Sequence, residues 1–308
     1  MVDRSPAPAS DLWAPRWRGQ PGRLEVTYAT FTDRATGTGI WLHHEMVASP
    51  AVSSGGARSN TAATHTTAWA AVFPVDGVPR WCRTESIDID RHGSKGVADS
   101  LSWDLHWNAD DQRPLYTFPR WAWHRELLPA AQVVPAPHLD VTGSFNWEDA
   151  SIDEVDAVGG VARIFGHGNA QRWGWLHADL GDGDVMELVT AVSMRPGLNR
   201  LPAVTHVRFR IGGVDWPSLD APSFLLGTRL SKESWTVRGR IGRSKLLVNV
   251  LQPAERCVAI DYHDPDGATA TCHNTERADV EIRLTGGPNG DRVWTLDGTG
   301  HSEVGTRP

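Results

Sequence analysis

Two short segments of the sequence place protonatable side chains and tryptophans at the two-residue spacing of a β-strand. The first is WLHHEMV, residues 41–47, in which Trp41, His43 and Glu45 would share one face of a strand. A histidine and a carboxyl on one face shift each other's pKa and can hold a proton near neutral pH. His43 and Glu45 are therefore predicted catalytic residues. The alternative is a structural network in which Glu45 pairs with an arginine and His43 caps a backbone group.

The second segment is FGHGNAQRWGWLH, residues 165–177. As a strand, its last part would align two indoles and an imidazole on one face, and the glycines before it would let the backbone approach a ligand closely. Such a face suits an extended apolar ligand that must be oriented or protonated, although core and ion-pair roles stay open for the same tryptophans and arginine. The segment adds His177 to the catalytic candidates and adds five substrate-binding candidates: His167, Asn169, Arg172, Trp173 and Trp175.

A third segment, residues 102–124, contains SWDLHW and RWAWH. On a strand, Trp103 would face the same side as the neighbouring apolar residues, and Asp104 would face the other side. Asp104 would either pair with Arg120 or Arg125 or act as a catalytic acid, and it completes the catalytic candidates. The tryptophans of this segment and of the first complete the predicted binding set: Trp41, Trp103, Trp121 and Trp123.

Short strands are the elements that would position these residues. Period-two alternation recurs, as in RLEVTYATF (residues 23–31) and THVRFRIGG (205–213), and hardly any window keeps the spacing of a full helix. Glycine and proline, 30 and 20 residues, are scattered as turn formers along the chain. We predict an all-β protein with an N-terminal extension (1–20) and two β domains (21–152 and 153–308), divided in the acidic, turn-rich segment 143–160.

Composition excludes several classes of protein. A net charge of −7 without a basic block argues against nucleic acid as a partner, and no apolar run is long enough to span a membrane. The N-terminus lacks the apolar core of a signal peptide, and the three cysteines fit free thiols, so a cytoplasmic location is expected. No P-loop, dinucleotide motif, G-x-S-x-G elbow or H-E-x-x-H is present, so neither a cofactor nor a metal is predicted. A monomer and a homodimer both stay open.

The ordered segments GTGIWLHHE, SWDL, PLYTFPRW, GHGNAQRWGWLH, VRGRIG and DYHDPDG…CHNTE resemble the lipocalin-like superfamily of carotenoid 1,2-hydratase. Tocopherol-cyclase-like proteins and the decalin-forming Diels–Alderases are similar too. The resemblance implies two lipocalin-like antiparallel β-barrels side by side with few short helices, large apolar substrates and no cofactor. In the hydratase branch an acid stands near a motif similar to D-H-N-W-G. The matching stretch here keeps His167 and Asn169 but has glycine at the place of the acid, which puts hydration in doubt.

Three functions follow as hypotheses. The first is a cofactor-independent, Diels–Alderase-like cyclase or isomerase that folds a large apolar polyene, polyketide or terpenoid intermediate in a tryptophan-lined pocket. The second is an alkene hydratase, which requires Glu45 or Asp104 to be buried beside the aromatic wall with a raised pKa. The third is a non-catalytic carrier of a large hydrophobic small molecule, with the same cavity but no converging polar groups. Tryptophans that only pack a core would leave no cavity.

Overall fold

The predicted all-β class is confirmed by a computed structural model, which describes residues 12–50, 63–126, 128–148, 150–195, 197–218 and 226–308. Strands hold 64% of the chain and helices 5%, and the strands form two large antiparallel sheets. The α-helix α1 (Arg120–Arg125) occupies the RWAWH segment. None of the helices in the described ranges is long and apolar enough to cross a membrane.

The first sheet contains eight strands in the order β4-β3-β2-β1-β8-β7-β6-β5. Chain neighbours pair as antiparallel hairpins, except β4 and β5 at the two ends of the sheet, and the pairing of β1 with β8 joins its two halves. Its strands are β1 (Arg23–Asp33), β2 (Gly39–Ala48), β3 (Thr64–Phe73), β4 (Arg80–Thr84), β5 (Gly93–Ala98), β6 (Leu101–His106), β7 (Ala130–Trp147) and β8 (Ala150–Gly166).

The second sheet contains ten strands, nine of them in the order β12-β11-β10-β9-β18-β17-β15-β14-β13, with β16 beside β17. It nearly closes into a barrel, because Thr228 of β13 hydrogen-bonds Thr205 of β11 at 2.8 Å. Its strands are β9 (Arg172–Gly181), β10 (Asp184–Val192), β11 (Val204–Ile211), β12 (Val214–Trp216), β13 (Leu226–Leu230), β14 (Ser234–Ile241), β15 (Ser244–Leu251), β16 (Val258–His263), β17 (Thr269–Gly287) and β18 (Gly290–Thr306).

The tryptophans divide among separate apolar cores. Trp103 belongs to the core that the first sheet encloses, and Trp235 to the core of the second. A third cluster contains Trp41 and Trp69 from the first sheet and Trp173 from the second, so it lies where the two sheets meet. Tryptophan supplies the largest rigid apolar face of any residue, which suits such a contact.

Polar contacts also cross between the sheets. Thr32 of β1 hydrogen-bonds Nε2 of His301 on β18 at 2.8 Å, and Nδ1 of His301 lies 3.1 Å from the Glu276 carboxyl on β17. These side chains are buried, so their hydrogen bonds compensate the cost of removing them from water. The outward face of β1 is thereby fixed against the second sheet.

The chain passes from the first sheet to the second at residues 167–171, because β8 runs across the predicted 152/153 boundary and pairs with β1 and β7. We therefore propose this connection as the division between the two halves. Residues 1–11 of the predicted extension lie outside the described residues. Its remainder packs on the first sheet, where the Glu25 carboxylate accepts the backbone N–H groups of Arg16 and Trp17 and Arg163 donates to the Ala14 carbonyl.

Candidate active site

A cavity of about 350 Å³ lies between the two sheets. β1, β2 and β7 of the first sheet form one wall, and β9, β10, β16 and β18 of the second form the other. Leu198 and Val204 line the cavity and are 44% and 47% exposed, so the cavity opens to solvent beside them. A volume of several hundred Å³ with apolar and aromatic walls is typical of a pocket for a drug-sized molecule.

Strand β2 projects Trp41, His43 and Glu45 into this cavity, as its alternation predicts. The intervening His44 faces the interior of the first sheet, where its Nδ1 lies 2.8 Å from the Ile87 carbonyl. The alternation of side chains along a strand is a local property, so it holds whichever strands become neighbours.

Glu45 is an unpaired carboxyl in an apolar wall. Its side chain is 1% exposed, and neither carboxyl oxygen has a hydrogen-bond partner among the described residues. Burial, followed by the nearby charge of Asp264, raises the pKa of Glu45 to about 8. The His263 backbone N–H, which lies near the carboxyl but outside hydrogen-bond geometry, and the charge of Arg83 oppose this rise in part. A carboxyl with that pKa keeps its proton at neutral pH and can act as an acid.

His43 is held as a neutral ring. It stacks on Trp69 with 3.9 Å between ring centroids and 11° between planes. Burial, and to a smaller degree His44, moves the pKa of His43 well below its ordinary value. Its Nε2 lies 4.0 Å from the Glu45 Oε2, beyond hydrogen-bond distance. This distance does not fit a proton shared between the two side chains, and no arginine of the described ranges forms an ion pair with Glu45.

Trp173 of β9 forms the facing wall together with two groups of the second sheet. Its Nε1–H donates to the Glu303 carboxyl, which also accepts the Tyr262 hydroxyl at 3.2 Å. Burial raises the pKa of Glu303, and these donors offset part of that rise. Gly305 leaves room for the indole, because a Cβ there would lie 1.9 Å from the Trp173 ring.

A second polar group lies beside Tyr28 and Gln132, which line the cavity from β1 and β7. Its centre is Glu187 of β10, which is 1% exposed. Glu187 accepts hydrogen bonds from Gln132 Nε2 at 3.0 Å, Trp175 Nε1 at 3.1 Å and His177 Nδ1 at 2.6 Å. His177, a predicted catalytic residue, is thus a buried partner of Glu187, and the lining residues of the cavity do not include it.

The family of the chain follows from its sequence relatives. Residues 84–306 match the model of the tocopherol cyclase-like family. The chain belongs to this family. An uncharacterized protein of Mycobacterium tuberculosis is 46% identical over 309 residues, covering 95% of this chain and 89% of the relative.

Solved structures show the same fold for this tocopherol cyclase-like chain. A putative AttH from Nitrosomonas europaea has a TM-score of 0.57 at 14% identity and covers 92% of both chains. CghA, also crystallised with Sch210972, has a TM-score of 0.58 at 12% identity over 92% of this chain and 88% of its own. Kievitone hydratase from Nectria haematococca has a TM-score of 0.52 at 9% identity over 93% and 90%. At sequence identities this low, the similarity indicates a shared fold only.

Besides His177, six predicted site residues of this tocopherol cyclase-like protein lie away from the cavity lining: Asp104, Trp103, Trp121, Trp123, His167 and Arg172. Asp104 is on the outer face of β6, where Lys95 at 2.5 Å holds its pKa below the ordinary value, so it is no buried acid. Trp103 fills the first core and donates to Ser94 at 2.9 Å.

The other four of these six residues are either exposed to solvent or buried in another apolar core. Trp121 is 47% exposed on α1, and Trp123 is buried beneath the guanidinium of Arg16. His167 and Arg172 are exposed, and Nδ1 of His167 lies 3.0 Å from the Arg23 guanidinium. Of the residues in the same segment, Asn169 does line the cavity, and it donates to the Asp264 carboxylate at 2.7 and 3.0 Å.

Sequence reasoning missed five polar residues of the site: Tyr28, Gln132, Glu187, Tyr262 and Glu303. Tyr28 was visible on the alternating face of RLEVTYATF, and single polar residues within apolar runs, as in AAQVV and VMELV, mark the next two. A buried polar side chain needs a partner, which makes such isolated positions informative. Among the described residues no group of three or more histidine, cysteine, aspartate or glutamate side chains could hold a metal ion.

Proposed function

We propose that this protein is a cyclase that protonates an alkene of a large apolar substrate in the cavity between the sheets, with Glu45 as the proton donor. The observation that carries this proposal is a buried carboxyl without a hydrogen-bond partner in a tryptophan-lined wall. Leaving such a group unpaired costs folding free energy on the order of 1–3 kcal/mol, which a carrier would not need. Membership of the tocopherol cyclase-like family supports a cyclase.

The reaction balances as an isomerisation. The Glu45 O–H bond breaks and its proton forms a C–H bond with one alkene carbon, which leaves a cation on the neighbouring carbon. A second nucleophilic group of the folded substrate forms the ring bond, and the proton released in the last step returns to the Glu45 carboxylate. The reaction consumes no oxidant or reductant.

The aromatic walls fit a cationic intermediate. Trp41, Trp173 and Trp175 line the cavity, and an indole whose face meets the substrate can stabilise positive charge through the ring quadrupole, by about 0.5–2 kcal/mol per contact. Holding the substrate in one folded conformation removes entropy from the ring closure, as in the cycloaddition that the sequence suggested. A Diels–Alder reaction would need this folding but no acid, so Glu45 favours proton-initiated ring closure.

Hydration is the second candidate function. The position of His43 beside Glu45 favours it. Its neutral ring lies 4.0 Å from Glu45, and both of its ring nitrogens lack a partner among the described residues. A water bound there could lose a proton to His43 and add to the same cation. The fold is also similar to that of kievitone hydratase.

Deuterium labelling tests the proposal. Hydrophobic molecules that co-purify with the protein, and a panel of neutral polyprenoid alkenes, are incubated with the protein in D2O and examined by mass spectrometry. We expect a product with one carbon-bound deuterium and no added oxygen, and a loss of at least about 100-fold in rate in Glu45→Gln. A product that gains oxygen from labelled water identifies a hydratase. Ring closure at an undiminished rate in Glu45→Gln contradicts the proposal.

A further inference from the structure

Tyr28 lines the cavity from β1, its hydroxyl lies beside Gln132, another lining residue, and the acid step proposed above does not use it. The side chain is 5% exposed and lines the cavity. Its ring packs edge-on against Trp175, with 5.3 Å between centroids, which fixes its direction. The hydroxyl can accept hydrogen bonds and can donate one.

Gln132 donates a hydrogen bond to the oxygen of this hydroxyl. The Gln132 amide nitrogen lies 3.1 Å from the Tyr28 oxygen and 3.0 Å from the Glu187 carboxyl. The opposite orientation of the amide would turn its oxygen toward the Glu187 oxygens, so the nitrogen must face both groups. Gln132 therefore uses both of its N–H groups as donors, one of them to Tyr28.

The hydrogen of the Tyr28 hydroxyl consequently has no acceptor in this group. Gln132 offers only donors toward it, and no residue in the described ranges accepts a hydrogen bond from Tyr28. Burial, followed by the charge of Glu187, moves the pKa of Tyr28 well above its ordinary value, so the O–H group remains a donor. An unused buried donor is costly, and a bound acceptor would compensate that cost.

We infer that Tyr28 donates a hydrogen bond to an oxygen atom of the substrate, which is then an apolar alkene with a carbonyl or similar acceptor and not a pure hydrocarbon. The alkene part of this inference rests on the proposed function. Val26 pairs with Glu45 and Tyr28 with His43, so Tyr28 and Glu45 are diagonal neighbours across β1 and β2. The residue positions of a diagonal pair are about 7–8 Å apart, so one substrate in the cavity can contact both side chains.

Two matched probes test the inference: geranylacetone, an apolar dienyl ketone, and the hydrocarbon in which a CH2 group replaces its carbonyl. Binding is measured by quenching of tryptophan fluorescence. We expect the wild type to bind the ketone about tenfold more tightly than the hydrocarbon, because one buried hydrogen bond is worth about that factor. Tyr28→Phe should remove this preference without changing the affinity for the hydrocarbon.

Tyr116→Phe is the matched control outside the cavity. Tyr116 is buried in a separate apolar core and does not line the cavity, so this variant should keep the ketone preference. Equal binding of the two probes by the wild type, absence of binding by either, or a preference that survives Tyr28→Phe would overturn the inference. Should Tyr28→Phe fail to fold, the infrared carbonyl band of geranylacetone bound to the wild type decides. A shift to lower frequency than in hexane is expected, and an unshifted band refutes a donor.

Glu45→Gln separates this inference from the proposed function. The substitution leaves the Tyr28 donor in place, so the variant should keep the ketone preference while it loses deuterium incorporation. A wild-type protein that prefers the ketone but incorporates no deuterium contradicts acid catalysis and supports the role of Tyr28. Deuterium incorporation without a ketone preference supports acid catalysis and contradicts the role of Tyr28.

Discussion

His43 and Glu45 face each other with 4.0 Å between Nε2 and Oε2, without a hydrogen bond and without opposite charges. Burial shifts their pKa values in opposite directions, lowering that of His43 and raising that of Glu45. Each group is thereby neutral near neutral pH, and Glu45 does not transfer its proton to His43 to form an ion pair. The pair can present an undissociated acid to an apolar substrate.

The first prediction concerns stability against pH. An acid with a raised pKa in the folded state binds its proton more tightly there, so folding loses stability as pH rises from the ordinary value of 4.5 through about 8. Through this group, each pH unit in that window lowers the free energy of unfolding by at most about 1.4 kcal/mol. Denaturant unfolding of wild type and Glu45→Gln over this range should show a larger loss in the wild type, because other buried acids such as Glu303 titrate in both proteins. Parallel curves for the two proteins would show that Glu45 titrates normally.

Asp104 and Glu45 should behave differently when each carboxyl is replaced by its amide. Asp104 is on the outer face of β6 beside Lys95, so Asp104→Asn should keep full turnover and binding of the apolar probes. Glu45→Gln should fold and bind but lose turnover by at least about 100-fold. Turnover assays with the same substrate panel compare the two. A comparable loss in Asp104→Asn would place catalysis outside the cavity.

Glu187 should be a stability residue of the site. Glu187→Ala leaves the donors of Gln132, Trp175 and His177 without their acceptor, which we expect to cost at least about 3 kcal/mol in the free energy of unfolding. Glu154→Ala, on the exposed face of β8, is the control and should change it little. Urea unfolding measures both. A small loss in Glu187→Ala would mean that water replaces the carboxylate.

Gly305 should control the position of the Trp173 indole. Gly305→Ala places a methyl group 1.9 Å from that ring, so the indole must leave its present position in the cavity wall. We expect a loss of about 2 kcal/mol in stability and weaker binding of geranylacetone. Gly227→Ala is the matched control, because its methyl group would meet only a carbonyl oxygen 3.8 Å away. Unchanged affinity in Gly305→Ala would show that Trp173 does not bound the binding site.

The sequence was sufficient to predict which side chains share one face of each strand in the site. Alternation along β2 and β9 predicted which side of each strand carries Trp41, His43, Glu45, Trp173 and Trp175, because side-chain alternation depends on the strand alone. The all-β class followed from the same periodicity and from the distribution of turn residues.

Long-range pairing explains what sequence reasoning missed. Trp103 and Asp104 have the same local pattern as the β2 residues, but β6 pairs with β5 and β7, away from the second sheet. The Glu187 group joins Tyr28, Gln132 and His177 from strands that are far apart in the chain. Sheet order decides both outcomes, and no short segment encodes it.

The protonation state of Glu45 tests the account most directly. Infrared difference spectra of wild type minus Glu45→Gln should contain the C=O band of a protonated carboxylic acid at neutral pH, with a titration midpoint at about 8. A spectrum that contains only carboxylate bands at neutral pH, with a midpoint near the ordinary value of 4.5, would contradict it.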